Sequence, residues 1–146
     1  MQILVDADAC PVKEIIVRQA KKFHIPVTML LDTSHEFCDG YSTVITVDKG
    51  KDSADIRLVN LVQPGDIVVT QDFGVAAMAL GRGAKALNQN GMVYDDSNMN
   101  QLLFERHLGQ KIRRAGGKAG KMHKRSKAND EAFENALRGI LEKQET

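Results

Sequence analysis

The chain of 146 residues is long enough to bury a hydrophobic core, and its 42% hydrophobic and 27% charged residues exclude disorder of the whole chain. No apolar run approaches the roughly 20 residues of a membrane span, and the first residues lack the basic segment of a signal peptide. The net charge of +1 conceals a basic segment near the C-terminal end and an acidic remainder. The two cysteines, Cys10 and Cys38, form no zinc-binding spacing, so a reduced, cytoplasmic protein is expected.

The first two-thirds of the chain alternates short apolar runs with helical patterns. Residues 3–6 predict a first strand, and apolar residues at helical spacing predict a helix that opens at Pro11 and ends before Pro26. Helices are also predicted after the third and fourth strands. This alternation predicts an α/β fold of three layers around a mostly parallel, five-stranded sheet. The remaining strands are predicted at residues 27–31, 44–47, 66–70 and 84–87.

The last third of the chain has a different pattern. Residues 98–115 and 129–143 both show the periodicity of amphipathic helices. Glycines and basic residues separate these two segments, which predicts a basic loop over residues 111–127. The prediction is therefore one α/β domain over residues 1–146, with the basic loop at 111–127 and a C-terminal helix at 129–143.

Acidic residues stand where the predicted strands end. Asp6 ends the first strand, and Asp8 follows two residues later. Asp52 and Asp55 begin the helix after the third strand, and Asp72 follows the fourth strand. Ligands of open α/β sheets bind at the carboxyl ends of the strands, where the strand order reverses. With the order 3-2-1-4-5, we expect the acids after the first and fourth strands to converge on one crevice.

Gathered carboxylates have a characteristic chemistry. Two carboxylates about 4 Å apart repel by ~4 kcal/mol at an effective dielectric constant of ~20, so such a site takes up protons or recruits a cation. Oxygen ligands favour Mg²⁺ or Mn²⁺ over zinc, and either ion can activate water for attack on a phosphodiester. A purely structural role is the alternative for Asp52, Asp55 and Asp72, because aspartate caps helix N-termini and stabilises first turns.

Three stretches give the chain a resemblance to a known family. They are Val-Asp-Ala-Asp-Ala-Cys-Pro at residues 5–11, Lys-Asp-Ser-Ala-Asp at 51–55 and Gly-Asp-Ile-Val-Val-Thr-Gln-Asp at 65–72. Through them nearly the whole chain resembles the YaiI/YqxD family of uncharacterised bacterial proteins, which in turn is similar to PIN-like metal-dependent nucleases. The resemblance implies a PIN-like fold and a Mg²⁺- or Mn²⁺-dependent nuclease.

The same resemblance implies roles for single residues. Asp6, Asp55 and Asp72 match acids of the PIN-like site, and Thr70 matches a supporting hydroxyl. PIN-like nucleases usually have a further acid on a helix between the first strands; Glu14 is the helical candidate here and lies early, so Asp8 is the expected substitute. The family often has Asn-Pro-Arg-Gly where residues 88–91 of this chain are Asn-Gln-Asn-Gly. This chain therefore lacks an arginine at that position, together with any role that the arginine has in the family.

The basic segment at residues 111–127 contains eight Lys or Arg residues and no acid, which leaves the rest of the chain with a net charge of −7. Such a segment favours RNA through phosphate contacts and counterion release, and without interleaved aromatic residues it predicts no strong sequence preference. A solvated loop that balances the acidic body is the alternative. Nucleotide cofactors are not expected, since no glycine-rich phosphate motif occurs. Membrane partners are not expected either, since no apolar run is long enough to span a bilayer. The expected nucleic-acid contacts are Lys111, Arg113, Arg114, Lys118, Lys121, Lys124, Arg125 and Lys127.

The expected function is that of a metal-dependent ribonuclease or phosphodiesterase. Two alternatives remain open. One is a small-molecule phosphohydrolase of the haloacid-dehalogenase type, whose DxD motif Asp6 and Asp8 would supply. The other is an RNA-binding module without catalysis. The expected catalytic and metal-binding residues are Asp6, Asp8, Asp55 and Asp72, supported by Asp52 and Thr70.

Overall fold

Five parallel strands form a single sheet with helices on both faces. The structure is a computed structural model that describes residues 1–8, 10–32, 38–47, 54–100 and 125–144. The strands are β1 (Ile3–Asp6), β2 (Val27–Asp32), β3 (Thr43–Val47), β4 (Ile67–Val69) and β5 (Lys85–Leu87). The helices are α1 (Lys13–Phe23), α2 (Ala54–Leu61), α3 (Phe73–Gly81) and α4 (Lys127–Gln144). Residues 96–100, between β5 and α4, are helical as well and carry no label.

The strand order is β3-β2-β1-β4-β5, which confirms the predicted order and the predicted fold class. Every strand pair is parallel, and β1 lies in the centre, where Ile3 is in register with Val27 on one side and Ile67 on the other. Because all strands run in the same direction, their carboxyl ends meet at one edge of the sheet. This edge receives the residues that follow β1 and β4.

Alternate residues of the strands fill two separate cores. Ile3 and Val5 point to one face of the sheet, where they pack with α1 and with Phe133 of α4. Leu4 points to the other face, where it packs with Leu58 of α2 and with α3. Side chains alternate between the faces of a strand, so a central strand covered on both faces is apolar at consecutive positions. The two cores produce the predicted three layers.

Helix α4 is held against the turn that follows β5. Gly91 in this turn has a φ of +86°, and a Cβ atom there would lie 2.5 Å from the carbonyl oxygen of Ala132. Only glycine allows this approach, because it combines the left-handed conformation with the absence of a side chain. The glycine therefore permits the close contact between α4 and the turn after β5.

The helix boundaries differ from the predicted ones at three points. Helix α1 begins at Lys13, and Pro11 lies in the turn before it. Helix α4 begins at Lys127, so the last residue assigned to the basic loop is helical. The predicted helix over 98–115 begins at residue 96 and is described as far as residue 100. The rest of that segment and residues 111–124 of the basic segment lie outside the described residues.

Among the helices that the structure describes, none combines the length and apolar composition needed to cross a lipid bilayer.

Candidate carboxylate site

The ends of β1 and β4 place Asp6 beside Thr70. Asp6 is the last residue of β1, and Thr70 directly follows β4, the strand next to it. The Thr70 hydroxyl donates a hydrogen bond to Oδ2 of Asp6 over 3.3 Å. Thr70 itself is only 2% exposed, and its backbone N–H donates to the carbonyl oxygen of Leu87. The hydroxyl is therefore held at a fixed position by the sheet.

Asp72 is connected to the same hydroxyl. Its backbone N–H donates to Oγ1 of Thr70 over 3.0 Å, and its own Oδ1 accepts a hydrogen bond from the N–H of Val75 over 3.1 Å. The second contact caps the N-terminus of α3, as the sequence predicts for Asp72. The cap engages one carboxylate oxygen and fixes the orientation of the group.

The electrostatics of Asp6 show which charges surround it. Burial is the main reason that the pKa of Asp6 rises from 3.8 to about 6, and the hydrogen bond from Thr70 acts in the opposite direction. The negative charges of three further carboxylates raise the pKa as well. These are the carboxylates of Asp8, Asp55 and Asp72. The fold thus brings the four acids that the sequence singled out within electrostatic range of one another.

The four carboxylates do not form a ready-made coordination cluster. Asp55 lies in the first turn of α2, and its Oδ1 accepts a hydrogen bond from the N–H of Ile56 over 3.0 Å. Asp8 is partly buried two residues beyond β1. Within the described ranges, no three Asp, Glu, His or Cys side chains stand close enough to hold a metal ion together. Asp52, the predicted supporting acid, lies outside these ranges.

A narrow recess next to Asp6 contains residues that the sequence analysis missed. Its volume of about 10 Å³ matches the space of one water molecule. The Gln71 side chain donates a hydrogen bond to Gln89 across its rim. Burial raises the pKa of the Cys10 thiol, which favours the neutral thiol there. The lining residues are Asp6, Cys10, Val69, Thr70, Gln71 and Gln89.

Tyr94 contacts the backbone of the site, and the sequence patterns did not predict this role. Its hydroxyl donates to the carbonyl oxygen of Thr70 over 3.2 Å, and its ring meets Phe73 edge to face at 6.2 Å. Burial and the charge of Asp72 raise the pKa of Tyr94, so the phenol is a hydrogen-bond donor at neutral pH. No sequence pattern singles out Tyr94, because it lies in irregular chain after β5 where periodicity gives no information.

Two of the predicted nucleic-acid contacts lie in the described part of the chain. Arg125 contacts the protein itself: Nε donates to Oδ1 of Asp130, Nη1 to Oδ1 of Asn90 and Nη2 to the carbonyl oxygen of Gln89, at 2.7, 2.9 and 2.7 Å. Its guanidinium thus occupies the turn at residues 88–91, which has no arginine of its own. Lys127 is exposed at the start of α4. The other six, Lys111, Arg113, Arg114, Lys118, Lys121 and Lys124, lie outside the described residues.

Comparison with known proteins gives a consistent family relationship. Residues 4–143 match the family described as "Uncharacterized BCR, YaiI/YqxD family". The chain is similar to proteins named UPF0178 protein in Ruminiclostridium cellulolyticum (74% identical over 137 residues, 94% of this chain and 90% of the relative) and Alkaliphilus oremlandii (55% over 137 residues, 94% and 88%). A third relative, from Clostridium acetobutylicum, is 48% identical over 143 residues, 97% of each chain. A crystal structure of Rae1 (YacP) from Bacillus subtilis is similar at 18% identity and a TM-score of 0.44, covering 99% of each chain.

Proposed function

The chain belongs to the YaiI/YqxD family, and we propose that it is a metal-dependent nuclease of the PIN-like kind that hydrolyses phosphodiester bonds in RNA. The observation that best supports this is the environment of Asp6. A partly buried carboxylate at the end of a central strand lies within range of three more carboxylates, and its pKa is raised to about 6. An arrangement that destabilises its own negative charge is typical of a functional site.

The donor set fits a hard divalent cation. All the candidate ligands are carboxylate oxygens, with the Thr70 hydroxyl beside them, and Mg²⁺ and Mn²⁺ prefer such ligands. The hydrogen bonds of Asp55 and Asp72 to nearby backbone N–H groups each involve Oδ1, so capping and ion binding are compatible roles. The residues that would hold the ion are Asp6, Asp8, Asp55 and Asp72.

The residues of the chain have defined tasks in this proposal. When bound, Mg²⁺ or Mn²⁺ supplies Lewis acidity and lowers the pKa of a water molecule. Thr70 holds one oxygen of Asp6, and its position is in turn fixed by β4 and by Tyr94. Asp72 is oriented through its cap on α3. Because these contacts arise from a strand end and a helix start, Asp6 and Asp72 are oriented before the substrate binds, and the four carboxylates would draw together around the ion.

The choice of RNA rests on the basic segment and its attachment point. Arg125 lies at the C-terminal end of that segment and binds the carbonyl oxygen of Gln89, and Gln89 lines the recess with Asp6. At Arg125 the segment therefore lies next to the carboxylate site. The eight Lys and Arg residues that the segment has in sequence would attract a polyanion that the carboxylates alone would repel.

The test is hydrolysis of end-labelled single-stranded RNA in the presence of Mn²⁺. We expect the wild type to cleave and Asp6→Asn to lose at least about 100-fold in rate, as when a group that stabilises the transition state is removed. Glu131→Gln, an exposed acid on α4, is the matched control and should cleave like the wild type. Equal background cleavage by the wild type and Asp6→Asn would refute the proposal.

The same preparation distinguishes the two alternatives. Transfer of phosphate from a small phosphomonoester to Asp6, detected by mass spectrometry, would indicate a phosphohydrolase instead. RNA binding without metal, unchanged in Asp6→Asn and without any cleavage, would indicate a binding module.

A further inference from the structure

A groove between α2 and α3 opens next to the carboxylates. Its volume of about 410 Å³ lies in the range of small-molecule binding sites. Asp55 and Asp72 belong to both the groove and the carboxylate site, so the two are continuous. The other lining residues are Ile56, Val59, Asn60, Gly74, Val75, Met78 and Arg82.

The two ends of the groove have opposite charge. Helices α2 and α3 both begin at the carboxyl edge of the sheet, so Asp55 and Asp72 lie at the same end. Arg82 follows the last residue of α3, ten residues beyond Asp72, which places it roughly 15 Å away at 1.5 Å per helical residue. Among the described residues, the Arg82 side chain has no ion-pair partner, so its guanidinium is available to an anion.

The middle of the groove is apolar and exposed. Ile56 is 58% exposed and Met78 is 51% exposed, and both are large hydrophobic side chains. Asn60 is the polar side chain that lies between the two ends along α2. An exposed apolar surface that joins two charged ends is typical of a binding site for an elongated ligand with both apolar and ionic groups.

We propose that this groove binds the single-stranded nucleotides next to the phosphodiester that is cleaved. A base would lie against Ile56 and Met78, and the phosphate of a neighbouring nucleotide would bind the Arg82 guanidinium. This inference rests on the proposed nuclease function, since it uses the carboxylates as the place where the scissile phosphate binds.

The groove chemistry favours a single strand of any sequence. Flexible, polarisable Met78 and aliphatic Ile56 can contact the flat face of every base, and they provide no hydrogen bonds that distinguish one base from another. Bases in a duplex are stacked and cannot present their faces in this way. Arginine binds phosphate through two parallel N–H donors, which would fix the register of the backbone.

The experiment measures binding by fluorescence anisotropy with a labelled eight-residue oligouridylate. Ca²⁺ replaces Mn²⁺ so that the oligonucleotide stays intact. The groove variants are Ile56→Asp, Met78→Asp and Arg82→Gln, and Arg57→Gln on the exposed face of α2 is the control. Circular dichroism melting confirms that each variant is folded, which is expected because these side chains are exposed.

We expect each groove variant to raise the Kd about three- to tenfold and Arg57→Gln to leave it unchanged. With an abasic oligonucleotide, the neutral truncations Ile56→Ala and Met78→Ala should leave the affinity unchanged while Arg82→Gln still weakens binding, because the apolar residues then have no base to contact. A duplex of the same length should bind less tightly to the wild type and respond little to Ile56→Ala. A 4-thiouridine oligonucleotide should crosslink to the peptide that contains Met78.

Other outcomes would overturn the inference separately from the nuclease proposal. If the groove variants bind like the wild type while Asp6→Asn abolishes cleavage, the nuclease function stands and the groove inference is wrong. If the wild type cleaves nothing but the groove variants still lose affinity, the nuclease proposal fails and the groove remains an RNA site. If the wild type is a dimer, and Ile56→Asp dissociates it without changing the affinity for RNA, the groove is a self-association surface and the inference is wrong.

Discussion

The hydroxyl of Thr70 donates to Oδ2 of Asp6 and accepts from the N–H of Asp72, so a single buried oxygen joins two carboxylate residues that are 66 positions apart in sequence. Strands β1 and β4 pair side by side, which brings the three residues to the same edge of the sheet. Thr70 therefore joins the side chain of Asp6 to the backbone of Asp72.

Replacing Thr70 with valine should affect both stability and the charge of Asp6. The variant keeps the shape of the side chain but leaves the N–H of Asp72 without its acceptor, which costs about 1–3 kcal/mol. The pKa of Asp6 should rise above its value of about 6, because the bond that lowers it is lost. Urea unfolding and NMR titration measure the two effects. Thr70→Ser should retain both properties, and equal behaviour of the two variants would contradict the assigned role.

The stability of the protein should depend on pH through Asp6. Its pKa is about 6 in the folded state, against 3.8 for an aspartate side chain exposed to water, so the folded state binds the proton more tightly. Stability contributed by this group is present below pH 4 and is lost as the pH rises to 6. Asp6→Asn removes the charge and should be more stable than the wild type by about 1–3 kcal/mol at pH 7.5. This difference in unfolding free energy, measured with urea, should vanish near pH 4. A difference that does not change with pH would contradict the assignment of the effect to the charge of Asp6.

Divalent cations should stabilise the folded chain. An ion at 100 times its Kd that binds only the folded state adds about 2.7 kcal/mol, and each kcal/mol raises the Tm of a chain of this size by roughly 3 °C. We therefore expect Mn²⁺ to raise the Tm of the wild type by several degrees. Asp6→Asn should respond much less, and Glu131→Gln should respond like the wild type. An equal shift in all three proteins would indicate an ion bound elsewhere.

Two substitutions of Asp72 separate its cap from its charge. Serine can accept the hydrogen bond from the N–H of Val75, whereas alanine cannot and should cost about 1 kcal/mol more. Both substitutions remove the negative charge that raises the pKa of Asp6, so both should lower that pKa and weaken Mn²⁺ binding. Chemical unfolding measures the change in stability, and calorimetric titration measures the change in Mn²⁺ binding. Normal Mn²⁺ binding by Asp72→Ser would leave Asp72 with a capping role alone.

The contact between the Gly91 turn and α4 should tolerate no side chain. A Cβ at Gly91 would lie 2.5 Å from the carbonyl oxygen of Ala132, and its φ of +86° already disfavours other residues. Gly91→Ala should therefore destabilise the protein by about 2 kcal/mol or more. Gly139→Ala in α4, where a Cβ meets no atom within 4 Å, should instead stabilise it by about 0.5–1 kcal/mol. Thermal unfolding compares the stability of the two variants. If Gly91→Ala is as stable as the wild type, α4 can shift away from the turn at little cost.

Local sequence patterns were sufficient for the strands, for the presence and order of the helices and for the cap of α3. Apolar runs such as Ile67–Val69 are buried on both faces, and the strand order confirms the predicted arrangement. The acids Asp6, Asp8, Asp55 and Asp72 were found because residues after parallel strands meet at one edge, whatever the details of packing. Each of these inferences uses only residues that are close in sequence or the general rules of parallel sheets.

Only the tertiary structure decided which groups touch. The bond from Arg125 to Gln89 and the one from Tyr94 to Thr70 join residues 36 and 24 positions apart, in chain segments without periodic patterns. The raised pKa of Asp6 likewise depends on burial and on charges from separate elements. The sequence determines which side chains are available, but contact distances and solvent exclusion follow from the packing of distant segments, which no local pattern encodes.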